Sequence, residues 1–131
     1  MSPVRKPLIY LASPYTSRLA RDTDRSYEES RRFDVAREVA HLLHAAGYLV
    51  FSPIAYSHQF VSEFSNVGGC WDTWKEWDCR LLSLCDEVWV LTLSGWETSR
   101  GVRAECELAR SLGKPVATIA ANDLVPEYEV M

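Results

Sequence analysis

The sequence predicts an α/β fold in which a four- to five-stranded parallel sheet is covered by helices on both faces. Short apolar runs alternate along the chain with segments of helical periodicity, which is the order typical of parallel sheets. These runs are apolar at successive positions, as expected for strands buried on both sides. With 131 residues, 47% of them hydrophobic and 24% charged, the chain is long and apolar enough for a single globular domain over residues 1–131.

The elements follow in alternating order. The predicted strands are residues 7–13, 48–52, 87–93 and 116–120. Helices are predicted over about 24–46, ended by Gly47, over about 71–85, and from Ser99 to just before Gly113. Residues 54–70 have no regular pattern, and 121–131 are expected to form a tail or an arm. The arrangement predicted is a single-domain, Rossmann-like (flavodoxin-like) three-layer sandwich, in which ligands bind at the carboxyl ends of the strands.

Composition and charge exclude several classes of function. The net charge is −4, and the arginines within 18–32 are interleaved with acidic residues, so we expect no polymeric nucleic acid as a partner. Pro3 and Pro7 interrupt any leader, and no apolar run approaches the roughly 20 residues of a membrane span, so we expect a cytoplasmic protein with no membrane partner. The four cysteines form no CxxC pair, which favours reduced thiols over a metal site. No cofactor is expected.

Two carboxylates fall on apolar helix faces. On a helical wheel, Glu105 lies in the same apolar arc as Val102, and Asp78 lies in the apolar arc of residues 71–85. A bare carboxylate in a dry core costs several kcal/mol, so each must be paired, protonated or facing a cavity. Either each is paired inside the fold, with Arg32 as a possible partner, or the two share a site suited to nucleophilic and acid–base chemistry.

Three segments resemble the nucleoside 2-deoxyribosyltransferase superfamily. They are Ser99-Arg-Gly101-Val-Arg-Ala-Glu105 with the Leu-Ala-Arg-Ser-Leu-Gly-Lys-Pro-Val that closely follows it, Ile-Tyr10-Leu-Ala, and Asp78 placed eight residues before Asp86. The resemblance implies that Glu105 attacks the anomeric carbon of a (deoxy)nucleoside or nucleotide, that Tyr10 positions Glu105, and that Asp78 assists departure of the base. Water or another base then takes the sugar, as in retaining glycosidases. The motifs SPY, FSP and GW look closer to a bacterial branch of this superfamily for which the resemblance indicates no particular substrate.

The same resemblance bears on phosphate recognition. Transferases of free nucleosides typically have Asp where this chain has Ser99, whereas the monophosphate hydrolases have Ser, and a hydroxyl beside free helix N–H groups suits a phosphate. Ser99 is equally well explained as a helix N-cap. Other candidate substrate- or phosphate-binding residues are Gly101, Ser13, Thr16, Ser17, Arg18, Trp96, His58 and Asn122.

The predicted function is therefore cleavage of the N-glycosidic bond of a nucleoside or its 5′-monophosphate. The expected partner is that small molecule, and a homodimer or higher homo-oligomer is expected from the aromatic helix over 71–85 and the short tail. Two alternatives stay open: a nucleotide-binding sensor of the same fold without turnover, and a phosphoribohydrolase. The phosphoribohydrolase is disfavoured because its usual PGGxGT loop is absent from the sequence.

Overall fold

Five strands form one sheet in the computed structural model, which describes residues 5–130. They are β1 (Leu8–Ala12), β2 (Leu49–Phe51), β3 (Glu87–Leu91), β4 (Val116–Ala120) and β5 (Asp123–Tyr128). The order in the sheet is β2-β1-β3-β4-β5, with the first four strands parallel and β5 antiparallel to β4. The predicted α/β sandwich is thereby confirmed.

Four helices cover the sheet: α1 (Asp22–Ala45), α2 (Pro53–Glu63), α3 (Trp71–Leu84) and α4 (Arg100–Ser111). Helix α2 contradicts the expectation that residues 54–70 are irregular. Its start is well formed, because Ser52 Oγ accepts a hydrogen bond from Ala55 N at 3.1 Å and Pro53 occupies a position whose N–H a helix does not use. The proline that ends the strand before it also begins this helix.

The expected tail over 121–131 is wrong for Asp123–Tyr128, which form β5. Ala117 of β4 pairs with Tyr128, whose hydroxyl donates to Glu87 Oε1 at 2.5 Å. Pro126 is compatible with this strand because β5 lies at the edge of the sheet, where one row of N–H groups has no ladder partner to lose. Residues 1–4 and 131, the ends of the predicted domain, lie outside the described residues.

Side-chain alternation along β1 divides the core into two layers. Ile9 and Leu11 pack with α1 on one face of the sheet, whereas Tyr10 and Ala12 pack with α3 and α4 on the other. Strand order reverses between β1 and β3, so the loops that follow these two strands diverge and leave a crevice at the carboxyl edge of the sheet. No helix among residues 5–130 is long and apolar enough to cross a membrane.

Candidate active site

A cavity of about 240 Å³ opens at this switch point. Its walls come from the loop after β1 and from the N-terminal parts of α2, α3 and α4. The lining residues are Ser13, Tyr15, Thr16, Arg18, Pro53, Ile54, Ser57, Gly69, Cys70, Trp71, Trp74, Asp78, Ser99, Arg100, Gly101 and Glu105. Three helices therefore direct their positive ends towards one cavity.

Glu105 lies about one and a half turns into α4 and is only 4% exposed. Its position is fixed by a regular helix start, where Ser99 Oγ accepts a hydrogen bond from Val102 N at 3.3 Å. Glu105 Oε2 has no hydrogen-bond partner among the described residues. Burial raises the pKa of Glu105 to about 8; the nearby Tyr10 hydroxyl acts to lower this pKa, and the Asp78 charge raises it.

Asp78 and Tyr10 complete a buried polar group around Glu105. Asp78, on α3, is 7% exposed, its Oδ1 has no hydrogen-bond partner in the described chain, and burial raises its pKa to about 7. Tyr10 is fully buried in β1, and burial first, then the charges of Glu105 and Asp78, raises its pKa well above the ordinary value. Its hydroxyl is close enough to Glu105 to affect the pKa of both groups, but it has no standard hydrogen-bond partner among the described residues. Burial therefore brings the pKa of both carboxyls close to neutral pH, with the pKa of Glu105 the higher of the two.

Arg32 does not neutralise either carboxylate. Its guanidinium donates to the carbonyl oxygens of Tyr15 at 3.2 Å, Thr16 at 3.0 Å and Ser94 at 3.1 Å. Arg32 therefore fastens the loops after β1 and β3 together on the α1 side of the sheet. Within residues 5–130 no lysine, arginine or histidine forms a salt bridge with Glu105 or Asp78, so the alternative of internal pairing is wrong.

The rim of the cavity combines charged and aromatic groups. Arg100 at the start of α4 makes a bidentate ion pair with Asp72 of α3, with N–O distances of 2.9 and 3.0 Å. Trp71 and Trp74 form an aromatic wall. A Cβ at Gly101 would lie 3.4 Å from Trp71 Cε3 and 4.0 Å from Glu105 Oε1, so glycine keeps the space between indole and carboxylate open.

Seven of the predicted site residues line the cavity: Glu105, Asp78, Ser99, Gly101, Ser13, Thr16 and Arg18. Tyr10 lies behind the lining, next to Glu105. Four predicted residues lie elsewhere. Ser17 N donates to Glu29 Oε2 at 2.9 Å, which turns that residue towards α1, and His58 Nδ1 lies 2.6 Å from the Tyr15 hydroxyl.

The remaining two predicted residues are also outside the lining. Trp96 packs against the core layer of α3 and α4, and Asn122 is exposed in the turn between β4 and β5. Trp71 and Trp74, which were not among the predicted site residues, are half-buried cavity walls. Sequence reasoning missed the contributions of Tyr15, Ile54, Ser57, Cys70 and Arg100. Recognising Ser52-Pro53 as a helix start would have brought Ile54 and Ser57 to this edge.

No group of three or more His, Cys, Asp and Glu side chains in residues 5–130 is arranged to hold a metal ion. Residues 7–121 match the family model described as "Domain of unknown function (DUF1937)", and the chain belongs to this family. No curated protein matches the chain. The resemblance to the nucleoside 2-deoxyribosyltransferase superfamily stays a prediction.

Proposed function

We propose that this member of the DUF1937 family cleaves the N-glycosidic bond of a (deoxy)nucleoside or its 5′-monophosphate through a covalent glycosyl-Glu105 intermediate. The observation that carries the proposal is the pair of buried carboxyls, Glu105 and Asp78, on one cavity with no cation beside them in the described chain. Burying two such groups without pairing them costs stability, and active sites are where proteins accept that cost.

Two carboxyls on one cavity suit a double displacement, which requires Glu105 to be ionised and Asp78 to be protonated when the substrate is bound. In the first step an ionised Glu105 oxygen attacks the anomeric carbon, the bond from that carbon to the base nitrogen breaks, and Asp78 gives its proton to the departing base. In the second step Asp78 takes a proton from water, and the oxygen of that water displaces Glu105 from the anomeric carbon. A second base in place of water completes a transfer.

The surroundings of the pair fit the two ends of such a substrate. The indole faces of Trp71 and Trp74 provide an apolar wall against which a planar base packs. Arg18, Ser99 and the first N–H groups of α4 lie on the same cavity and favour an anionic substituent such as a 5′-phosphate. Ser13 Oγ is buried with no hydrogen-bond partner among the described residues, and it is available to a sugar hydroxyl or phosphate oxygen.

A panel of substrates tests the proposal directly. The protein is incubated with the four 2′-deoxynucleosides, the four ribonucleosides and the 5′-monophosphates of both series, and free base is measured by chromatography. Mass spectrometry of acid-quenched protein then looks for a pentosyl adduct on the peptide that contains Glu105. We expect base release from at least one class and an adduct that is absent from Glu105→Gln.

Two outcomes would overturn the mechanism. Base release that survives in Glu105→Gln would remove the nucleophile from its role. Binding of a monophosphate, seen as a raised melting temperature, without base release from any compound would favour the sensor of the same fold. We also propose that the chain forms a homo-oligomer. The 43% exposure of the large apolar side chain of Trp77 on α3 supports this.

A further inference from the structure

The four cysteines have very different surroundings, and Cys70 stands apart from the others. Cys85 and Cys106 are buried, Cys79 is half-buried, and burial raises the pKa of all three thiols. Cys70 is exposed, and it lines the cavity described above. The chain therefore presents one thiol that combines access from solvent with a position on the candidate active site.

Local contacts favour the thiolate form of Cys70. It is the residue that immediately precedes α3, and its Sγ lies 3.5 Å from Thr73 Oγ1. Hydrogen bonds from the Thr73 side chain and backbone, in that order, lower the pKa of Cys70. On the facing helix, the pKa of Arg100 is raised mainly by its ion pair with Asp72, and the charge of Cys70 adds to this rise. A helix start is an environment in which reactive cysteines are found.

The cavity next to Cys70 has room and polar groups for an attached molecule. Ser13 lines the cavity and is 6% exposed, and its buried Oγ has no hydrogen-bond partner in the described chain. Gly69, directly before Cys70, contributes no side chain to the wall; a Cβ there would come within 2.9 Å of the Tyr15 ring. A group bonded to Cys70 Sγ would thus share the cavity with a residue whose hydroxyl is unsatisfied.

We propose that Cys70 is a site of reversible covalent modification by small-molecule disulfides, and that the attached group obstructs the cavity. The Cys70 thiolate attacks one sulfur of the disulfide, a new sulfur–sulfur bond forms as the old one breaks, and the other half departs as a thiolate that takes up a proton from water. Cys70 is oxidised and the departing half is reduced. A second thiol reverses the reaction, so the site is open under reducing conditions and closed under oxidising ones.

Labelling of the native protein tests the modification without reference to activity. The folded chain is treated with 5,5′-dithiobis(2-nitrobenzoate) and, separately, with glutathione disulfide, and the labelled peptide is identified by mass spectrometry. We expect one fast equivalent per chain, at Cys70, that is at least about tenfold faster than any other thiol. Cys70→Ser should lose it, whereas the matched control Cys79→Ser should keep it. A fast equivalent that survives in Cys70→Ser, or none in the native chain, overturns the proposal.

Two further arms examine the environment and the consequence. Thr73→Val keeps the backbone N–H but loses the hydroxyl, so the pH midpoint of Cys70 labelling should rise; an unchanged midpoint contradicts the role of Thr73. The effect on activity rests on the proposed function: glutathione disulfide should inhibit base release until dithiothreitol is added, and whatever activity Cys70→Ser has should be insensitive to it. If no substrate releases base, the proposed function fails while the labelling result still decides the modification.

Discussion

The two faces of the sheet treat buried polar groups in opposite ways. On the α1 face, Arg32 donates to three backbone carbonyls and Glu29 accepts from Ser17 N, so the charged groups that leave water there are hydrogen-bonded. On the face covered by α3 and α4, Glu105 and Asp78 are more deeply buried, yet each has a carboxylate oxygen without a partner in the described chain. The polar groups of the first face are satisfied, whereas the second face leaves two carboxylate oxygens unsatisfied where the cavity opens, and this lowers the stability of the fold.

This difference has a local origin in the periodicity of the helices. Helix α1 buries Ala36, Val39 and Leu43 along one apolar stripe. Helix α4 has an equivalent stripe of Val102, Cys106 and Ala109, but Glu105 lies within it. One carboxylate in an otherwise ordinary apolar stripe thus distinguishes the buried surface of α4 from that of α1. Substitutions on each face test this contrast.

The largest expected effect is on activity at Glu105. Glu105→Gln keeps the shape of the side chain but removes the nucleophilic charge, so base release should fall at least about 1000-fold. The matched control is Glu107→Gln, an exposed residue on the same helix, which should leave the rate within about twofold of the parent chain. A comparable loss in both variants would show that the α4 surface in general, and not the buried carboxylate, is responsible.

Substitutions on the two faces should change stability with opposite signs. Leu43 is 1% exposed in the α1 layer, and Leu43→Ala should lower the free energy of unfolding by about 2–5 kcal/mol. Glu105→Gln should instead raise the free energy of unfolding at pH 8, because it removes a buried charge that has no cation beside it among residues 5–130. Urea denaturation of both variants measures the two changes. Destabilisation by Glu105→Gln at pH 8 would mean that the carboxylate is paired, and the contrast between the faces would be lost.

The gain in stability should depend on pH. The folded-state pKa of Glu105 is raised to about 8 from an ordinary value of 4.5, so the folded chain holds this proton more tightly than the unfolded chain. The contribution of Glu105 is therefore fully favourable below about pH 4 and is lost progressively as the pH rises to about 8. The stability difference between Glu105→Gln and the parent chain should be small at pH 5 and grow to a few kcal/mol at pH 8. Melting curves across this range would contradict the burial argument if the difference stayed constant.

Much of the architecture was predictable because its strands and helices have characteristic local sequence patterns. The four parallel strands and the helices that contain Asp78 and Glu105 follow from apolar runs and helical periodicity. Glu105 was found because a charged residue on an apolar face is a local anomaly.

Other features depended on tertiary contacts, or on residues whose local sequence pattern is compatible with two different structures. Strand β5 is stabilised by pairing with β4, which no pattern within 121–131 reveals, and Pro53 serves as both a strand end and a helix start. His58 and Ser17 show the same limit: each lies at the predicted edge of the sheet but outside the lining, because His58 contacts the Tyr15 hydroxyl and stacks on Phe33 of α1, and Ser17 N donates to Glu29. Sequence placed them near the site, and only tertiary contacts decide which way they face.

A smaller effect is expected at Tyr10. Tyr10→Phe keeps the packing of the buried ring and removes the hydroxyl that lowers the pKa of Glu105, so that pKa should rise further. The ascending limb of the pH profile of kcat/KM should then move to higher pH, and the rate at pH 7 should fall about 10- to 100-fold. An unchanged profile would show that the hydroxyl does not act on Glu105.

The smallest effect concerns the choice of substrate and tests how the start of α4 contributes to the cavity. Ser99→Asp keeps a side-chain oxygen that caps the helix, so stability should hold, but it adds a negative charge to the cavity wall. If a 5′-phosphate binds there, the ratio of kcat/KM for monophosphate to that for nucleoside should fall about tenfold. The reason is that two like charges at close range near a protein surface repel each other by at least about 1 kcal/mol. Ser99→Ala is the comparison, because it loses the cap and the hydroxyl without adding charge; it should lower stability by about 1 kcal/mol and lower that ratio less than Ser99→Asp does. An unchanged ratio in Ser99→Asp would place the phosphate elsewhere on the rim, with Arg18 as the next residue to substitute, and would leave Ser99 with the capping role alone.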